Sequence, residues 1–405
     1  MEKYENLVTD LTKELKNILV FWAEHTIDQR FGGFAGEVDA KGNIVPHADK
    51  GLVLNTRILW TFSAAFNFFR DPAYLELAER AFDYLLKHFS DQKNGGFFWA
   101  VDYKGNVVND RKQVYGQGFA IYAFSEYFKA SGKRESLDHA IQLFDLLDKY
   151  SYDPVHGGYL EALSACWNRM DDVRLSTKDA NCPKSMNTHL HILEPFSNLY
   201  RVWPTDVLHE RMQSLIRVFL DRILNNQSHH FHLFFDEEWR VQSNMVSYGH
   251  DIEGAWLINE AADLIGDEML RREAHQKTLQ MVDAVLKDGL APDHSLYYEK
   301  DLDSGNLQKD RHWWVQAEAL VGLMDAFENS GDPKYFERFL EIWRYIRHHM
   351  IDQDKGGWFG IIEDNGLPGR EGVKAGFWKC PYHNTRALME TIQRIRHMHE
   401  NRFPA

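Results

Sequence analysis

The stretch Gly95-Gly-Phe-Phe-Trp-Ala-Val-Asp-Tyr-Lys-Gly-Asn106 reads as a Gly-Gly-aromatic turn, a short strand and a second turn. Five similar stretches mark the rest of the chain, three with the glycine pair and two hairpin-like ones without it: 32–34, 157–159, 356–358, 230–236 and 296–299. Consecutive markers lie about 60 to 75 residues apart. A regular spacing of this length is typical of repeat architectures, so we predict six structural repeats.

Helical patterns lie in pairs between these markers. One member of each pair carries a charged stripe: 4–24, 73–89, 134–150, 207–225, 267–287 and 333–350. The other is more apolar around its circumference: 52–69, 113–129, 187–201, 247–265, 311–328 and 381–398. A striped helix faces solvent on one side, whereas a helix that is apolar all round is buried. The pattern predicts one all-α domain over residues 1–405, a closed barrel of two concentric six-helix rings with short β-hairpins in its long loops.

The loops between the helices differ in length. An apolar helix is followed by a tight link, such as Asp71-Pro72 or Gly266-Asp267, whereas a striped helix is followed by a long loop that carries a hairpin. All the long loops therefore meet at the end of the barrel where the inner helices begin, which we call the loop end. Binding and catalytic residues favour loops on a rigid scaffold, so we expect the functional site there.

Composition restricts the partners of the protein. The 405 residues carry a formal charge of -14, and the three cysteines have no metal-type spacing. The chain has no basic block and no run of about 18 apolar residues, which argues against nucleic acid and membrane partners. A neutral or cationic substrate fits better. The low cysteine content and the charged start Met-Glu-Lys-Tyr-Glu favour a cytoplasmic protein, and we expect a monomer.

One inner helix opens with Ser247-Tyr-Gly-His-Asp-Ile-Glu253. We expect Ser247 to cap this helix, which places His250 in the first turn, on the same face as Glu253. The positive end of the helix dipole disfavours a charged imidazole, so His250 should accept a proton near neutral pH. Pro381-Tyr-His383 starts the last inner helix and places a second histidine at the equivalent position of another repeat. A lone histidine is more often structural, but two equivalent ones favour a function.

Other inner helices bring polar residues to the same end. Asn187 and His191 lie four residues apart and share a helix face, while His189 points elsewhere. Two such histidines could ligate a metal, but no carboxylate or cysteine cluster completes a ligand set. Arg57 stands among apolar residues and needs a partner, either a core carboxylate or a substrate oxygen.

Aromatic residues begin two further inner helices. Trp314 and Glu318 share a helix face, and Tyr115 starts another helix. The pair Trp313-Trp314 is either core or a surface on which a sugar ring stacks. The chain contains no Walker motif, no dinucleotide fingerprint and no Gly-x-Ser-x-Gly elbow. We therefore expect neither a metal nor a cofactor.

Five segments together resemble the N-acylglucosamine 2-epimerase superfamily, and within it the cellobiose 2-epimerases. These segments are Asn55–Trp60, Met186–His191, Ser247–Glu253, His312–Glu318 and Trp378–Asn384. The resemblance implies an (α/α)6 barrel, in agreement with the repeat count. It also implies a cofactor-free isomerase that inverts C2 of the reducing-end glucose in β-1,4 disaccharides of the cellobiose type.

The resemblance implies roles for single residues. His250 and His383 would be the two acid/base groups, and Glu253 would orient His250. Arg57 and His191 would face the reducing-end oxygens and assist ring opening. The sugar-binding residues would be Tyr115, Asn187 and Glu318 for hydroxyl groups, Trp313, Trp314 and Trp378 for ring faces, and Asp179 for a second sugar.

Sugar chemistry requires such groups. The C2 hydrogen of an aldose is acidic only when C1 is a carbonyl, so the ring opens first and proton removal then gives a cis-enediolate. Inversion needs a proton on the opposite face, which two histidines on opposite walls can supply. The alternatives are a mannose/glucose 2-epimerase or aldose–ketose isomerase, an inverting glycoside hydrolase with carboxylates roughly 6.5 to 9.5 Å apart, and a non-catalytic sugar-binding protein.

Overall fold

The computed structural model describes residues 2–369 and 372–402, and its helices form two concentric rings. The outer ring consists of α1 (Glu2–His25), α3 (Pro72–Tyr84), α5 (Arg134–Tyr150), α7 (Asp206–Val218), α9 (Glu268–Asp288) and α11 (Pro333–Tyr345). The inner ring consists of α2 (Leu52–Phe69), α4 (Val114–Ser131), α6 (Met186–Tyr200), α8 (Tyr248–Ile265), α10 (Trp313–Ser330) and α12 (Tyr382–Arg402). Each inner helix packs on the next, and α12 returns to α2, which closes the barrel and confirms the predicted fold. No described helix has the length and hydropathy that crossing a bilayer requires.

The tight links between inner and outer helices follow from helix-capping chemistry. Gly132, Gly266 and Gly331 end three inner helices with φ of 69°, 72° and 71°, a left-handed conformation that glycine adopts without steric cost. Asp71 and Asp332 then cap the next outer helices by accepting the backbone N–H two residues further on. Three outer helices continue into a wider π-type turn, at Leu85–Phe89, Phe219–Ile223 and Ile346–Met350.

Short strands join neighbouring repeats around the loop end. They are β1 (Lys50–Gly51), β2 (Ala100–Val101), β3 (Val107–Asn109), β4 (Lys112–Gln113), β5 (Ala162–Leu163), β6 (Lys184–Ser185), β7 (Phe234–Phe235), β8 (Met245–Ser247), β9 (Glu299–Asp301), β10 (Leu307–Gln308), β11 (Arg311–His312) and β12 (Ile361–Ile362). A strand that leads into an inner helix pairs antiparallel with the hairpin of the next repeat, as β1–β2, β4–β5, β6–β7, β8–β9 and β11–β12. A bridge between Val38 and Ala375 joins the last repeat to the first. This belt of backbone hydrogen bonds fixes where the inner helices begin.

A buried ion pair holds four of the six Gly-Gly or hairpin turns. An aspartate four residues before the first glycine accepts a hydrogen bond from a lysine on the segment that leads into the inner helix. The pairs are Asp28–Lys50 at 2.8 Å, Asp91–Lys112 at 2.8 Å, Asp153–Lys184 at 2.7 Å and Asp352–Lys374 at 2.5 Å. The fifth repeat has Asp293–Arg311 at 2.8 Å instead. The sequence signal is therefore Asp-x-x-x-Gly-Gly-aromatic, and the turn prediction used only its second half.

Backbone geometry requires the glycine pair. Gly32 and Gly33 have φ of 82° and 60°, in the left-handed region that other residues rarely adopt. A Cβ on Gly33 would lie 2.5 Å from the ring of Tyr84, so a side chain there would push the turn away from the neighbouring helix. The turn thus packs its backbone directly on an aromatic ring.

We expect Lys112→Ala to destabilise the fold by about 3–5 kcal/mol, because the buried carboxylate of Asp91 loses its counter-ion. The pair Lys133–Glu79 provides the matched control, since its side chains are 40% and 48% exposed. Lys133→Ala should cost less than about 1 kcal/mol. Urea unfolding followed by circular dichroism measures both values. Equal losses in the free energy of unfolding of the two variants would show that the buried pair Asp91–Lys112 stabilises the fold no more than an exposed pair does.

Candidate active site

Three histidines near the loop end share one arrangement. In each ring Nδ1 is hydrogen-bonded, while Nε2 has no partner within the described part of the chain. The Nδ1 partners are Ser247 for His250 at 2.8 Å, Glu318 for His383 at 2.6 Å and Glu194 for His191 at 3.1 Å. A bond to one ring nitrogen fixes the imidazole and leaves the other nitrogen for a ligand. The arrangement therefore offers three imidazole nitrogens to a bound molecule.

His189 differs, in keeping with its different direction on α6. Its Nδ1 lies 2.6 Å from the carbonyl oxygen of Ser185, and its Nε2 accepts the N–H of Tyr159 at 2.8 Å. Tyr159 belongs to the third Gly-Gly-aromatic turn. His189 uses both ring nitrogens to hold that turn on the inner helix, so its role is structural.

Burial keeps the three site imidazoles neutral. It lowers the pKa of His250 to about 3, and the nearby His191 adds to the effect. Burial also lowers the pKa of His383 and His191, with the charges of Arg57 and Arg386 acting in the same direction on both. The sequence predicts a neutral His250 from the helix dipole, whereas burial is the main cause in the structure. At neutral pH all three can accept a proton.

The first turn of α8 differs from its prediction in two ways. Ser247 occupies the N-cap position but makes no capping bond with its side chain, because its hydroxyl bonds to His250. Glu253 does not pair with His250. Its Oε1 accepts a hydrogen bond from Arg386 at 2.7 Å and lies 3.7 Å from Nδ1 of His383. The predicted pairing of Glu253 with His250 is therefore wrong, because Arg386 draws the carboxylate toward the last inner helix.

Arg386 lies at the centre of a buried charge cluster. Its guanidinium bonds to Glu194, and its Nη2 lies 2.7 Å from both Glu253 and Glu318. The four side chains are at most 2% exposed. Three ionised carboxylates around one guanidinium would leave two negative charges uncompensated, and burial disfavours such an excess.

The pKa values of the three carboxyl groups diverge accordingly. Burial raises the pKa of Glu253, and the neighbouring Glu318 raises it further. Burial also raises the pKa of Glu318, although Arg386 opposes the shift. Burial acts on Glu194 as well, but Arg386 and His191 hold its pKa at about 2. Burial therefore disfavours the ionised forms of Glu253 and Glu318, next to His383, while Glu194 stays ionised.

Glu318 is predicted to bind a sugar hydroxyl, but protein groups occupy both of its oxygens. Oε1 bonds to His383 at 2.6 Å and to Arg386 at 2.7 Å, and Oε2 accepts the indole N–H of Trp256 at 3.1 Å. The side chain is fully buried. Glu318 therefore supports His383 rather than contacting a ligand, and the sequence prediction for it is wrong.

Arg57 has no carboxylate partner within the described residues. Its guanidinium donates to the hydroxyl of Tyr115 at 2.8 Å and to Sγ of Cys380 at 3.5 Å, and it stacks 4.2 Å from the ring centre of Phe119. The residue is only 2% exposed. Of its two predicted partners, a core carboxylate is therefore ruled out. A buried cation paired only with neutral groups suits an oxygen that develops negative charge.

His191 lies at a kink in α6, with φ of -87° and ψ of 18°. Pro195, four residues later, has no N–H for the carbonyl of His191 and would clash with it in a straight helix. Gly118 of α4 makes room for the displaced carbonyl, since a Cβ there would lie 2.4 Å from its oxygen. The kink directs the imidazole against the ring of Tyr115, with ring centres 5.0 Å apart.

Trp314 joins the two histidines that belong to different repeats. Its ring centre lies 4.7 Å from that of His250 and 5.7 Å from that of His383. Trp313 also lies near His383, with ring centres 6.5 Å apart. Trp378 is half-buried and lies 5.9 Å from the ring of Tyr115. The predicted tryptophans thus line the region around the three histidines.

The remaining predicted binding residues lie in the loops and at the start of α6. Asn187 is half-buried, and its side-chain oxygen has no hydrogen-bond partner in the described residues. Asp179 lies in the loop between β5 and β6 and accepts the N–H of Ser176 at 2.8 Å. Burial, together with the charge of Asp179, raises the pKa of Glu299 to about 7. Asp179 therefore lies near Glu299 of β9, an acidic residue that the sequence analysis missed.

One group of side chains has the spacing of a metal site. Ligand atoms of Glu253, Glu318 and His383 lie within 4.8 Å of one another. The donors do not fit a metal, because Nη2 of Arg386 already bonds to both carboxylates at 2.7 Å. A metal ion would have to stand against this guanidinium. The residues present suit acid/base chemistry instead.

The central charge cluster is the main part of the site that sequence reasoning missed. Glu194 follows His191 by three residues, and Arg386 follows His383 by three residues. Each is a charged residue inside an inner helix that is otherwise apolar, which is a usable signal. Tyr382 completes the cluster through its hydroxyl, which donates to Glu194.

Comparison with known proteins agrees with this fold. The model of the N-acylglucosamine 2-epimerase (GlcNAc 2-epimerase) family matches residues 32–387. A cellobiose 2-epimerase from Bacteroides fragilis is 43% identical over 96% of this chain and 99% of its own length. The structure of cellobiose 2-epimerase from Bacillus thermoamylovorans B4167 superposes with a TM-score of 0.92 at 37% identity, covering 96% of this chain and 100% of that one. A D-mannose isomerase from Marinomonas mediterranea is 22% identical over 96% of this chain and 97% of its own length. The chain therefore belongs to the N-acylglucosamine 2-epimerase family of isomerases, as its sequence resemblance predicts.

Proposed function

We propose that this protein inverts C2 of the reducing-end glucose in β-1,4 disaccharides of the cellobiose type, giving 4-O-β-glucosyl-mannose. One observation carries the proposal. Two neutral histidines from different repeats, His250 and His383, both lie next to Trp314, and Nε2 of each is unbonded among the described residues. Two bases beside one aromatic surface suit the removal and return of a proton at C2 of an open-chain sugar bound there. The names of the full-length relatives support the substrate.

The reaction begins with ring opening. His191 and Arg57 act on the reducing-end oxygens: Nε2 of His191 accepts the anomeric hydroxyl proton while the C1–O5 bond breaks, and O5 takes a proton from water at the loop end. Arg57 stabilises the oxygen charge that forms in this step. Its charge is effective because the guanidinium is buried and has no carboxylate partner among the described residues.

Inversion follows on the open chain. One histidine removes the C2 proton, and the electron pair forms a cis-enediolate whose charge lies on the C1 oxygen beside Arg57. The other histidine delivers a proton to the opposite face of C2. A positioned donor such as Arg57 contributes roughly 10² to 10³ in rate, and each acid/base group roughly 10² to 10⁴.

The two histidines have different support. His383 lies against the carboxyl pair Glu253–Glu318, whose pKa values are raised by burial, whereas His250 is held by the hydroxyl of Ser247. The first environment suits a proton donor and the second a proton acceptor. The reverse reaction exchanges the two roles.

The alternatives fit less well. Oxygens of Glu253 and Glu318 lie within 4.8 Å of each other and are buried, whereas an inverting hydrolase needs roughly 6.5 to 9.5 Å between carboxylates that flank the substrate. A sugar-binding protein has no use for two acid/base histidines. A monosaccharide epimerase or aldose–ketose isomerase remains the second candidate, since a D-mannose isomerase shares the full length of the fold. We further propose that the protein is a cytoplasmic monomer that needs no metal or nucleotide.

A product assay tests the substrate. The protein, dialysed against a chelator, is incubated with cellobiose, glucose and mannose, and the products are identified by NMR. We expect the dialysed protein to convert cellobiose to 4-O-β-glucosyl-mannose at the same rate as undialysed protein. Turnover of the monosaccharides alone would assign the second candidate function. Release of glucose from cellobiose would instead indicate a hydrolase.

His250→Ala and His383→Ala should each lower epimerisation by about 10² to 10⁴, because each removes the acid/base group for one face of C2. His348 is exposed and lies in the π-type turn after outer helix α11, so His348→Ala serves as the matched control and should keep full activity. Initial rates on cellobiose at neutral pH give the comparison. Near-normal epimerisation in either site variant would rule out the two-base assignment.

Ser247→Ala should lower kcat by about tenfold with little loss of stability, because the hydroxyl orients His250 and makes no helix cap. Ser185→Ala is the opposite control. Ser185 does cap its helix, by accepting the N–H of Thr188 at 3.1 Å, so its loss should cost about 0.5–2 kcal/mol. Steady-state kinetics and thermal unfolding separate the two effects. A large stability loss with unchanged kcat in Ser247→Ala would show that Ser247 acts as a cap after all.

A further inference from the structure

A cavity of about 430 Å³ lies at the end of the barrel opposite to the three histidines. We call it the rear cavity. Residues from the middle and carboxyl-terminal parts of the inner helices line it, among them Ala64, Tyr122, Asn198 and Glu390. Glu194 and Arg386 of the central charge cluster form its innermost wall.

The rear cavity is suited to hold water. Its lining is rich in carboxylate, amide and guanidinium groups, and the hydroxyl of Tyr122 makes no hydrogen bond within the described residues. A polar cavity of this size readily accommodates water molecules, which take up about 30 Å³ each in the liquid. Side chains near its outer end reach solvent, since Glu260 and Glu390 are 27% and 31% exposed. Water can therefore reach the interior of the barrel from this end.

Glu194 separates the rear cavity from the active site. One of its oxygens bonds to Arg386 and Tyr382, and the other lies 3.1 Å from Nδ1 of His191. Nε2 of His191 has no partner in the part of the chain that the structure describes and is left for the sugar. The pair His191–Glu194 thus has one side toward the substrate and the other toward the rear cavity.

Ring opening creates a proton that must leave this pair. Once Nε2 of His191 has taken the anomeric proton, the imidazole carries two protons, and the one on Nδ1 points at Glu194. The bound sugar lies on the Nε2 side. The short way out is from Nδ1 to the carboxylate of Glu194 and from there to water behind it.

We propose that the rear cavity is a second, water-filled entrance to the active site, through which the pair His191–Glu194 exchanges the proton of ring opening with solvent. The inference rests on the proposed function, because that function assigns ring opening to His191. In each opening step one proton enters at O5 from the loop end and one leaves through Glu194 to the rear, so the proton balance is kept. Ring closure reverses both transfers.

Two variants at one position test the entrance. Ala64 lines the cavity and is 7% exposed, whereas the next residue, Ala65, is fully buried. Ala64→Leu fills part of the cavity with apolar volume, and Ala64→Ser leaves room for water. Met389→Phe, at another point of the wall, serves as a second filling variant if Ala64→Leu does not fold.

The readout is mutarotation, which requires ring opening but no chemistry at C2. Each Ala64 variant is combined with His250→Ala, which silences epimerisation, and the anomerisation of α-cellobiose is followed by polarimetry in H₂O and D₂O. We expect Ala64→Leu to slow enzyme-catalysed mutarotation by up to roughly 10²-fold, the loss that removal of a general acid–base group causes. The solvent isotope effect on mutarotation should increase as well. Ala64→Ser should match the parent in both.

The possible outcomes are distinct. Equal mutarotation rates and isotope effects in Ala64→Leu, Ala64→Ser and the parent would overturn the rear entrance, even if wild-type protein epimerises cellobiose. An equal loss in the Leu and Ser variants would also overturn it, because the loss would then not depend on water in the cavity. Failure of the wild type to epimerise any of the three sugars would instead reject the proposed function, and the product assay reports that separately.

Discussion

The position of Arg386 is the constraint on which the rest of the site depends. Its guanidinium on α12 bonds to Glu194 of α6, Glu253 of α8 and Glu318 of α10, so one side chain joins four of the six inner helices. Such a buried network contributes less to net stability than its contacts suggest, because desolvation offsets much of the attraction. Its main effect is geometric: it holds the carboxylates that position His191 and His383.

The same cluster explains the chemistry. Burial keeps the histidines neutral, and burial together with the surplus of carboxylates over cations raises the pKa of Glu253 and Glu318 beside His383. His250 stands outside the cluster, on a hydroxyl that carries no charge. The barrel therefore holds two imidazoles of the same type in different electrostatic surroundings. An enzyme that moves protons in both directions across C2 can use such an asymmetry.

The sequence predicted the fold well because the barrel is built from local signals. Helix periodicity, the Gly-Gly turns and the links such as Asp71-Pro72 are each readable within a few residues. The sequence also indicated at which end of the barrel the candidate site lies and some of the residues there, such as Arg57. It failed where contacts run between helices: the spacing of Glu253 from His250 is visible on one helix, but the competing bond to Arg386 comes from a helix more than a hundred residues away. The kink at His191 was hidden for the same reason, since it needs both Pro195 and the glycine of another helix.

The central claim is that two histidines act on opposite faces of C2, and one measurement tests it directly. Wild-type protein turns over cellobiose in D₂O, and NMR determines the isotope at C2 of the epimerised disaccharide during the first turnovers. If two separate bases act, each product molecule should carry solvent deuterium at C2. One group removes the original proton, and a different group delivers a hydrogen that it has exchanged with the solvent. Product that retains its original C2 hydrogen at high yield would contradict the account.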